Sequence, residues 1–458
     1  MTFAAIDSAL LGPLFATDAM RAVFSDRARI AAMLRAEAEL ARAEAKAGIV
    51  GRSLAPAIEK ITPEDLDLAT LGREIAVSGI PVIPFARAVE ARLPEKLRGD
   101  FHFATTTQDI IDTALMLQMA KAFDLIATDL DAILAGLIRL AARHRRTPCA
   151  GRTLGQHAAP VTFGYVVALW LAGIAEIAAA LPRVRDHVLV VSLSGPVGTL
   201  AGLGDKGPEV TAAMARALGL GVPPVGYHVL RGRMVEAATF VAMLTGALAK
   251  MAADVSRLSM TEIGEVSEAH IPGRGGSSAM PHKRNPVSSI VILAAHAGAK
   301  GHVTTLLDAM AAEFQRPVGL WHGEWHALPQ LFGLASGALR EARTLAEGLV
   351  VHPDRMEQNL GATHGLLAAG AVASDLAEAF GRRGAHELVE DAANLVRETG
   401  RSFAEIITEE VRKPEKVRAK LQAALDVEPA IDAAAAVVDR AIAEAETVRR
   451  RLKKGRKS

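Results

Sequence analysis

The longest uninterrupted helical pattern in the sequence runs from Thr107 to Arg146. It contains no proline, and Gly136 is its only strong helix breaker. Apolar residues recur along it at helical spacing, among them Ile111, Leu115, Ala122, Ile126, Ile133, Leu137 and Leu140. A helix of this length spans roughly 55–60 Å at 1.5 Å per residue, more than the width of a compact domain. The run therefore predicts an elongated bundle that assembles with copies of itself.

Composition also favours packed helices. Hydrophobic residues make up 50% of the chain and aromatic residues only 4%, whereas strands favour aromatic and β-branched residues. Further long helices are predicted over 227–266, 287–314 and 324–351, with glycine- and proline-rich connectors between them and shorter helices outside them. The sequence thus predicts an all-α protein with three domains, over 1–106, 107–352 and 353–458.

Several kinds of partner are not expected. The formal charge of +1 gives no reason to expect nucleic acid or a membrane surface. The segment from Ala158 to Leu181 has the composition of a membrane span, but no second such span is evident, and we expect a helix buried on all sides by other helices. A single cysteine, Cys149, and the lack of a secretion signal favour a reducing cytoplasm. Scattered histidines and the absence of a nucleotide-binding glycine pattern predict neither a metal nor a cofactor.

The most polar stretch lies between two predicted long helices, from Gly275 to Pro286. Glycines and serines there indicate a loop in solvent or in a cleft. Such a loop can bring a hydroxyl, an ammonium group and the N-terminus of the helix that begins at Val287 against one anionic ligand. For a generic loop of this composition the alternative is a solvated connector.

Two further polar clusters stand beside predicted long helices. Residues 105–109, Thr-Thr-Thr-Gln-Asp, either cap the helix that follows or bind a carboxylate at its N-terminus. Residues 151–160, Gly-Arg-Thr-Leu-Gly-Gln-His-Ala-Ala-Pro, form an ordinary turn when considered alone, with His157 as a hydrogen-bonded structural residue.

Taken in order, the three clusters resemble the three motif regions of the fumarase/aspartase superfamily. Residues 277–285 match every specified position of its Ser-Ser-x-Met-Pro-x-Lys-x-Asn loop. Residues 151–160 match its Gly-Arg-Thr-x-x-Gln-x-Ala-x-Pro region, and the first cluster is similar to its Thr-Ser-x-Asp region, with Thr107 in place of serine. The resemblance extends over essentially the whole chain. It implies a three-domain fold whose long-helix bundle forms a tetramer core, with a catalytic loop at 270–286 and active sites to which three subunits contribute.

Within the superfamily, the sequence is most similar to the cycloisomerase branch that acts on 3-carboxy-cis,cis-muconate. The stretches that carry this similarity include 7–49, 102–118, 198–200, 280–287, 321–325 and the segment that starts at 363. The resemblance implies an intramolecular lyase of aromatic-compound degradation that closes a lactone without a cofactor.

Two departures from the superfamily pattern decide between its members. Enzymes that expel an amine or hydroxide carry a histidine and a glutamate where this chain has Leu154 and Ile290. Poor leaving groups need a proton, whereas a carboxylate, whose conjugate acid ordinarily has a pKa of about 4, leaves or attacks as it stands. Loss of both residues together therefore favours lactone formation, which needs only one proton transfer.

The resemblance also assigns site residues. Ser277 would transfer the α-proton, and Lys283 and Asn285 would stabilise the aci-carboxylate intermediate. The predicted ligand is a small polycarboxylate, and its binding residues would be Thr106, Thr107, Arg152, Thr153, Gln156, His157, Ser278, Met280 and Arg284.

Three other functions stay open at this point. An elimination enzyme like adenylosuccinate lyase is the first, although its amine leaving group would want the missing histidine. A cycloisomerase for a modified muconate is the second, because Gly232 stands where the family usually has aspartate. A structural relative without activity is the third, but its loop would be expected to lose Ser277, Lys283 and Asn285, and all three are present.

Overall fold

The computed structural model describes residues 3–411 and 415–455 and shows an all-α protein. The N-terminal helices are α1 Gly12–Phe15, α2 Asp18–Val23, α3 Asp26–Lys46, α4 Leu54–Ile58, α5 Leu68–Ser78 and α6 Val82–Glu90. The central helices are α7 Thr107–Arg143, α8 Phe163–Val188, α9 Gly207–Leu218, α10 Gly232–Leu258, α11 Val287–Asp308 and α12 Leu320–Gly348. The C-terminal helices are α13 Pro353–Gly361, α14 Ala369–Thr399, α15 Phe403–Glu410, α16 Glu415–Leu425 and α17 Glu428–Gly455. Two small antiparallel sheets pair β1 Pro148–Thr153 with β2 Gln156–Thr162 and β3 Val266–Ser267 with β4 Val350–Val351.

The long helices α7, α8, α10, α11 and α12 form the central bundle, as the sequence predicts. Phe123 of α7 and Phe332 of α12 are fully buried, and their rings meet edge to face with centroids 5.5 Å apart. Gly136, the only strong breaker in the α7 pattern, lies where α12 comes closest. A Cβ atom there would be 2.8 Å from the carbonyl oxygen of Ala346. The glycine therefore permits close packing of two helices and does not interrupt α7.

The sequence predicts a helix over 26–47, capped by Ser25 and stopped by Gly48, and another helix that opens at Thr62. Ser25 Oγ accepts a hydrogen bond from Ala28 N at the start of α3, and Gly48, with φ of 72°, follows the end of that helix. The helix predicted to open at Thr62 is only a 3-10 turn over Pro63–Asp65. The longer helix, α5, begins after Asp67, whose carboxylate accepts from Ala69 N at 3.0 Å.

The segment 158–181 is helical only in its second part. Residues up to Thr162 form β2, and α8 begins at Phe163 because the Thr162 side chain caps it by accepting from Tyr165 N at 3.1 Å. The helical interpretation was therefore wrong for residues 158–162. An apolar run alone does not separate a short strand from a helix, and the polar turn before it is in fact the connection of a β-hairpin.

The expectation of shorter helices after residue 352 was also wrong for two elements. Helix α14 has 31 residues, with a kink at Gly381 where φ is 73°, and α17 has 28 residues. Val438 and Leu452 of α17 belong to the core of the central bundle, whereas α14, α15 and α16 share a separate hydrophobic core. The basic run 449–457 predicts a frayed, solvated terminus, which is wrong for residues 449–455 because they belong to α17. Arg456 and Lys457 lie outside the described residues, and the domain boundaries stay a prediction.

Among the described residues, three helices are long and apolar enough to cross a membrane by length and composition: Phe163–Val188, Gly232–Leu258 and Val287–Ala311. The expectation of a single such segment was wrong, because α10 and the α11 segment qualify as well. Their most apolar windows are 50%, 56% and 28% buried within one chain. The helices therefore bury one side in the bundle and leave apolar side chains such as Ile290, Leu307 and Met310 exposed.

Candidate active site

The threonine cluster, residues 105–109, caps the N-terminus of α7. Thr105 Oγ1 and Thr106 N each donate a hydrogen bond of 3.2 Å to Oδ2 of the buried Asp109. The capping interpretation is therefore confirmed. Thr106 and Asp109 thus form a capping box at the start of this helix. Thr107 is only 8% exposed and is less accessible than Thr106.

Asp109 also fixes two neighbouring segments. Its carboxylate accepts hydrogen bonds of 2.9 Å from Ser194 N and Gly195 N, and Nε2 of the buried His228 lies 2.7 Å from Oδ1. One buried carboxylate thus joins the first turn of α7 to the loop after α8 and to the segment before α10. Removing it would leave several donors unpaired.

Arg316 completes this end of the bundle and is not among the site residues predicted from the sequence. It lies in the connector between α11 and α12, where Nη2 donates to Thr106 Oγ1 at 2.8 Å and to the Pro196 carbonyl at 3.1 Å. A guanidinium group beside a hydroxyl and a helix N-terminus suits a carboxylate ligand. A separation of 210 residues from Thr106 leaves no local sequence signal for the pair.

His102 is a second missed residue beside the threonine cluster. Its Nδ1 lies 2.6 Å from Oε1 of the buried Glu37, and its φ is 58°, in the left-handed region. Burial lowers the pKa of His102, but the charge and hydrogen bond of Glu37 outweigh burial, with help from Asp109 and Glu90, so the pKa is raised. His102 therefore keeps its proton to a higher pH than a free histidine does.

A buried ionic network lies one helical turn further along α7. Arg231 Nε donates to Glu324 Oε1 at 2.7 Å, and its Nη1 donates to Asp112 Oδ2 at 2.7 Å. Trp321 Nε1 donates to Asp112 Oδ1 at 3.1 Å. All four residues are 2% exposed or less. A Cβ atom at the adjacent, exposed Gly232 would meet no atom within 4 Å, so a side chain at this position would extend into open space.

The β1–β2 hairpin carries the second motif region at the other end of α7. Arg152 Nη1 donates to Glu265 Oε2 at 3.0 Å, and Asn359 Nδ2 donates to Glu265 Oε1 at 2.7 Å. Arg152 therefore has a carboxylate partner within the chain, which a substrate carboxylate would have to share. Thr153 and Gln156 are exposed and have no such partner among the described residues.

His157 follows Gln156 on β2 and is half-buried. Burial lowers the pKa of His157, and the charge of Arg152 lowers it further. Its Nδ1 is buried without a hydrogen-bond partner in the described part of the chain. A neutral imidazole with a free ring nitrogen fits a hydrogen-bonding role better than an ionic one.

The catalytic loop is held together at its base. Asn285 N donates to the Gly275 carbonyl at 2.8 Å, and Gly276 and Arg284 form an antiparallel bridge. At the tip, Met280 N donates to Ser277 Oγ at 3.2 Å. Within residues 3–411 and 415–455 this is the only hydrogen bond of the Ser277 side chain, and no basic side chain of that part of the chain is hydrogen-bonded to it. Lys283, like Ser278, Met280 and Arg284, is exposed.

The N-terminus of α11 is already occupied. Glu268 Oε2 accepts from Ser288 N and Oε1 accepts from Ser289 N, both at 2.9 Å. The suggestion that this helix N-terminus faces an anionic ligand was therefore wrong, because the carboxylate of Glu268 takes its free N–H groups. The same carboxylate anchors the loop, since Glu268 lies immediately before it in the chain.

No metal site is evident in the described ranges, where no three His, Cys, Asp or Glu side chains come together to hold an ion. Burial raises the pKa of the Cys149 thiol to about 12, with a smaller contribution from Glu265. Cys149 is therefore a small buried apolar residue, as the sequence indicates. A site without metal or cofactor stays a prediction.

The three motif regions do not converge within one chain. The threonine cluster begins α7, and the hairpin follows its end, 37 residues or roughly 55 Å away at 1.5 Å per residue. The Arg152–Glu265 pair joins the hairpin to the segment that leads into the catalytic loop, so that loop also lies away from Thr106. Leu154 on the hairpin and Ile290 in the first turn of α11 are both exposed. One site built from all three regions would need more than one chain.

Comparison with known proteins identifies a lyase family and relatives that match nearly the whole chain. The profile of a family described as lyase matches residues 14–299. A 3-carboxy-cis,cis-muconate cycloisomerase of Pseudomonas aeruginosa is 42% identical, over 95% of this chain and 96% of its own length. A nitrosuccinate lyase of Streptomyces davaonensis is 40% identical, over 96% of this chain and 95% of its own.

A solved structure gives the same result for the fold. The crystal structure of 3-carboxy-cis,cis-muconate lactonizing enzyme from Pseudomonas putida superimposes with a TM-score of 0.89 at 39% identity. The match covers 96% of this chain and 100% of the other.

Proposed function

The chain belongs to the fumarase/aspartase superfamily of lyases, and from this membership we propose that it is a cycloisomerase for 3-carboxy-cis,cis-muconate. In the proposed reaction, one substrate carboxylate adds to a carbon–carbon double bond conjugated with another carboxylate. The electron pair of that double bond moves into the conjugated carboxylate and forms an aci-carboxylate. Protonation at its α-carbon then gives carboxymuconolactone, an isomer of the substrate.

One observation carries the proposal: Leu154 and Ile290 replace the acid–base pair of the amine- and hydroxide-expelling enzymes, while the catalytic loop keeps Ser277, Lys283 and Asn285. Neither Leu154 nor Ile290 can give a proton to a leaving group. A carboxylate needs none, because it is stable as an anion. The retained loop residues supply the single proton transfer and the stabilisation of negative charge that lactone formation requires.

The proposed roles follow from the chemistry of the side chains. Ser277 gives the α-proton during lactone formation and takes it in the reverse direction. Its only described hydrogen bond is with Met280 N, so its activation must come from cationic and dehydrated surroundings in the closed site. Lys283 and Asn285 stabilise the aci-carboxylate, the step at which negative charge moves within the substrate.

In this proposal the groups that bind substrate carboxylates lie at both ends of the bundle, and each site takes them from different subunits. At one end, Thr106 and Arg316 offer a hydroxyl and a guanidinium group 2.8 Å apart. At the other, Thr153 and Gln156 are exposed on the hairpin without partners in the described chain. Six further binding roles remain predictions: those of Thr107, Arg152, His157, Ser278, Met280 and Arg284. Two of them have the least support, because Thr107 is buried and Arg152 already pairs with Glu265.

A homotetramer with shared sites accounts for the separation of these groups. The exposed apolar faces of α8, α10 and α11 would be buried between copies, and the threonine cluster of one subunit would meet the hairpin and loop of others. Burial of those faces against other copies also supports a protein that acts in the cytoplasm rather than in a membrane.

Elimination of nitrite from nitrosuccinate is a second candidate activity, favoured by the similarity to nitrosuccinate lyase. Nitrite, like a carboxylate, leaves as a stable anion and needs no proton donor at Leu154 or Ile290. Elimination of a nucleotide amine, as by adenylosuccinate lyase, has no such support.

The test is the absorbance of 3-carboxy-cis,cis-muconate during incubation with purified protein and no added cofactor. Lactone formation removes one of two conjugated double bonds, so the ultraviolet absorbance should fall quickly. Parallel reactions with nitrosuccinate, read as nitrite release, and with adenylosuccinate separate the candidates. Turnover of adenylosuccinate alone would contradict the leaving-group argument.

A further inference from the structure

Six residues other than glycine have positive φ in the described part of the chain: His102, Ala104, Leu154, Leu200, Phe314 and His364. A left-handed backbone is unfavourable for a residue with a Cβ atom, and such strain persists where something compensates for it. Leu154 and Phe314 differ from the other four, because both are large apolar side chains that are almost completely exposed, at 103% and 86%.

Leu154 lies in a tight turn whose backbone conformation favours other residue types. Thr153 pairs with Gln156, so Leu154 and Gly155 form a two-residue hairpin connection with φ of 50° and 79°. Positive φ at both positions is the pattern of a type I′ turn, for which asparagine followed by glycine is strongly favoured. Leucine is unsuited to this backbone, and its exposed side chain stabilises nothing inside the chain.

Phe314, at the other end of the bundle, is likewise an exposed apolar residue with a left-handed backbone. Its φ is 53°, and it lies in the connector between α11 and α12, two residues before Arg316. Arg316 contacts Thr106, so Phe314 belongs to the segment that completes the threonine cluster. An aromatic residue in a left-handed, solvent-exposed position gains nothing from the chain that carries it.

Each exposed residue stands beside polar groups assigned to the substrate. Leu154 lies between Thr153 and Gln156, and Phe314 lies beside Arg316. A polycarboxylate has charged ends and an apolar, unsaturated carbon chain between them. Hydroxyl, amide and guanidinium groups bind the ends, whereas the carbon chain is best enclosed by apolar side chains that exclude water.

From this arrangement we infer that Leu154 and Phe314 are specificity residues, which pack against the carbon chain of the substrate in the assembled site. The inference rests on the proposed function, and it names the apolar residues that would enclose the substrate in that site. The chain retains two strained, exposed apolar residues because their contacts form only when copies assemble around the substrate.

The test replaces each residue with asparagine, which tolerates a left-handed backbone better. Leu154→Asn and Phe314→Asn should each lower kcat/KM for 3-carboxy-cis,cis-muconate about 10-fold to 100-fold, the effect of losing one buried apolar side chain. The melting temperature should stay the same or rise by about 1–2 °C, because strain is relieved. Leu154→Met should retain kcat/KM within about threefold, because it keeps the apolar contact.

Val77→Asn is the matched control, since Val77 is 90% exposed but has ordinary helical backbone, and it should leave kcat/KM unchanged. Unchanged kcat/KM in Leu154→Asn and Phe314→Asn, with normal wild-type turnover, would contradict this inference alone. A lower melting temperature, or dissociation of the oligomer in sedimentation, would also contradict it, because the residues would then stabilise the fold or the subunit interface. A wild type without muconate turnover would overturn the proposed function and this inference with it.

Discussion

Nδ1 of His102 lies 2.6 Å from the carboxylate of Glu37, which is buried in α3. Burial lowers the pKa of His102, but the charge and hydrogen bond of Glu37 together with the charges of Asp109 and Glu90 outweigh burial, so the pKa is raised. A histidine with a raised pKa contributes stability that is fully present below its unfolded pKa, near 6.5, and is lost as pH rises through the folded value. The pair therefore predicts a pH-dependent stability.

Glu37→Gln should reduce the melting temperature more at pH 6 than at pH 9, because the stabilising pair requires a protonated His102. The measurement is thermal unfolding of the variant and of the wild type across this range. A difference that does not depend on pH would show that His102 is not the titrating partner.

Glu44 provides a second pH prediction with a different cause. Burial raises the pKa of Glu44 to about 8, with smaller contributions from Glu37 and Asp100. A carboxyl group with a raised pKa contributes stability below its unfolded pKa, and this contribution is lost as pH rises from about 4.5 to about 8. Glu44→Gln does not titrate, so it should unfold at a higher temperature than the wild type at pH 9.

The expected gain at pH 9 is roughly 3–5 kcal/mol per chain, and it should disappear near pH 5. The comparison uses thermal or denaturant unfolding at both pH values. Equal stability of the two proteins at pH 9 would mean that Glu44 ionises without cost.

The adjacent serines of the catalytic loop should respond differently to substitution. Ser277→Ala should lower kcat about 10²-fold to 10⁴-fold, because it removes the proton-transfer group. Ser278→Ala should cost no more than about tenfold, the effect of one neutral hydrogen bond. Steady-state kinetics with 3-carboxy-cis,cis-muconate distinguish the two, and similar losses would contradict the assignment of the proton to Ser277.

Arg316 should bind a carboxylate together with Thr106. Arg316→Met should lower kcat/KM about 10-fold to 100-fold, since it removes a charge-assisted hydrogen bond. Arg316→Lys should recover part of the loss, because lysine keeps the charge without the planar fork of the guanidinium. If Arg316→Met has normal kinetics, the carboxylate binds elsewhere.

Sites shared between subunits predict complementation. Tetramers of the double variant Thr106→Val/Arg316→Met and tetramers of Ser277→Ala should each be nearly inactive. After they are dissociated together and reassembled, about one site in four should combine an intact cluster with an intact loop. Activity that returns only in the mixture would support shared sites, and reassembly of either variant alone is the control. A mixture as inactive as its parents, but tetrameric in sedimentation, would contradict them.

The long helices could be predicted because their signal is local. Helical spacing and the absence of proline place α7, and the Ser25 and Gly48 signals place the ends of α3 within one or two residues. The hairpin was missed because an apolar run has no clear period, and its strand pairing depends on a partner in the preceding segment. The Gly136 contact with Ala346 could not be predicted, since the two residues are far apart in sequence.

In the candidate site, too, local motifs could be predicted and contacts between distant residues could not. The loop and the two other clusters are short motifs, so their residues could be found from the sequence. Arg316, His102 and Glu268 act through partners elsewhere in the chain, and no local pattern marks them. The partner of Arg152, Glu265, also lies 113 residues away, so no local pattern shows that Arg152 already has a carboxylate partner.

The length of α7 has a consequence for how this protein would behave at low abundance. A helix that separates the threonine cluster from the hairpin by roughly 55 Å leaves no complete set of reacting groups on a solitary, fully folded chain. With the shared sites proposed above, dilution that dissociates the oligomer would lower activity, and specific activity would vary with concentration. A cell that makes too few copies would contain chains without assembled active sites.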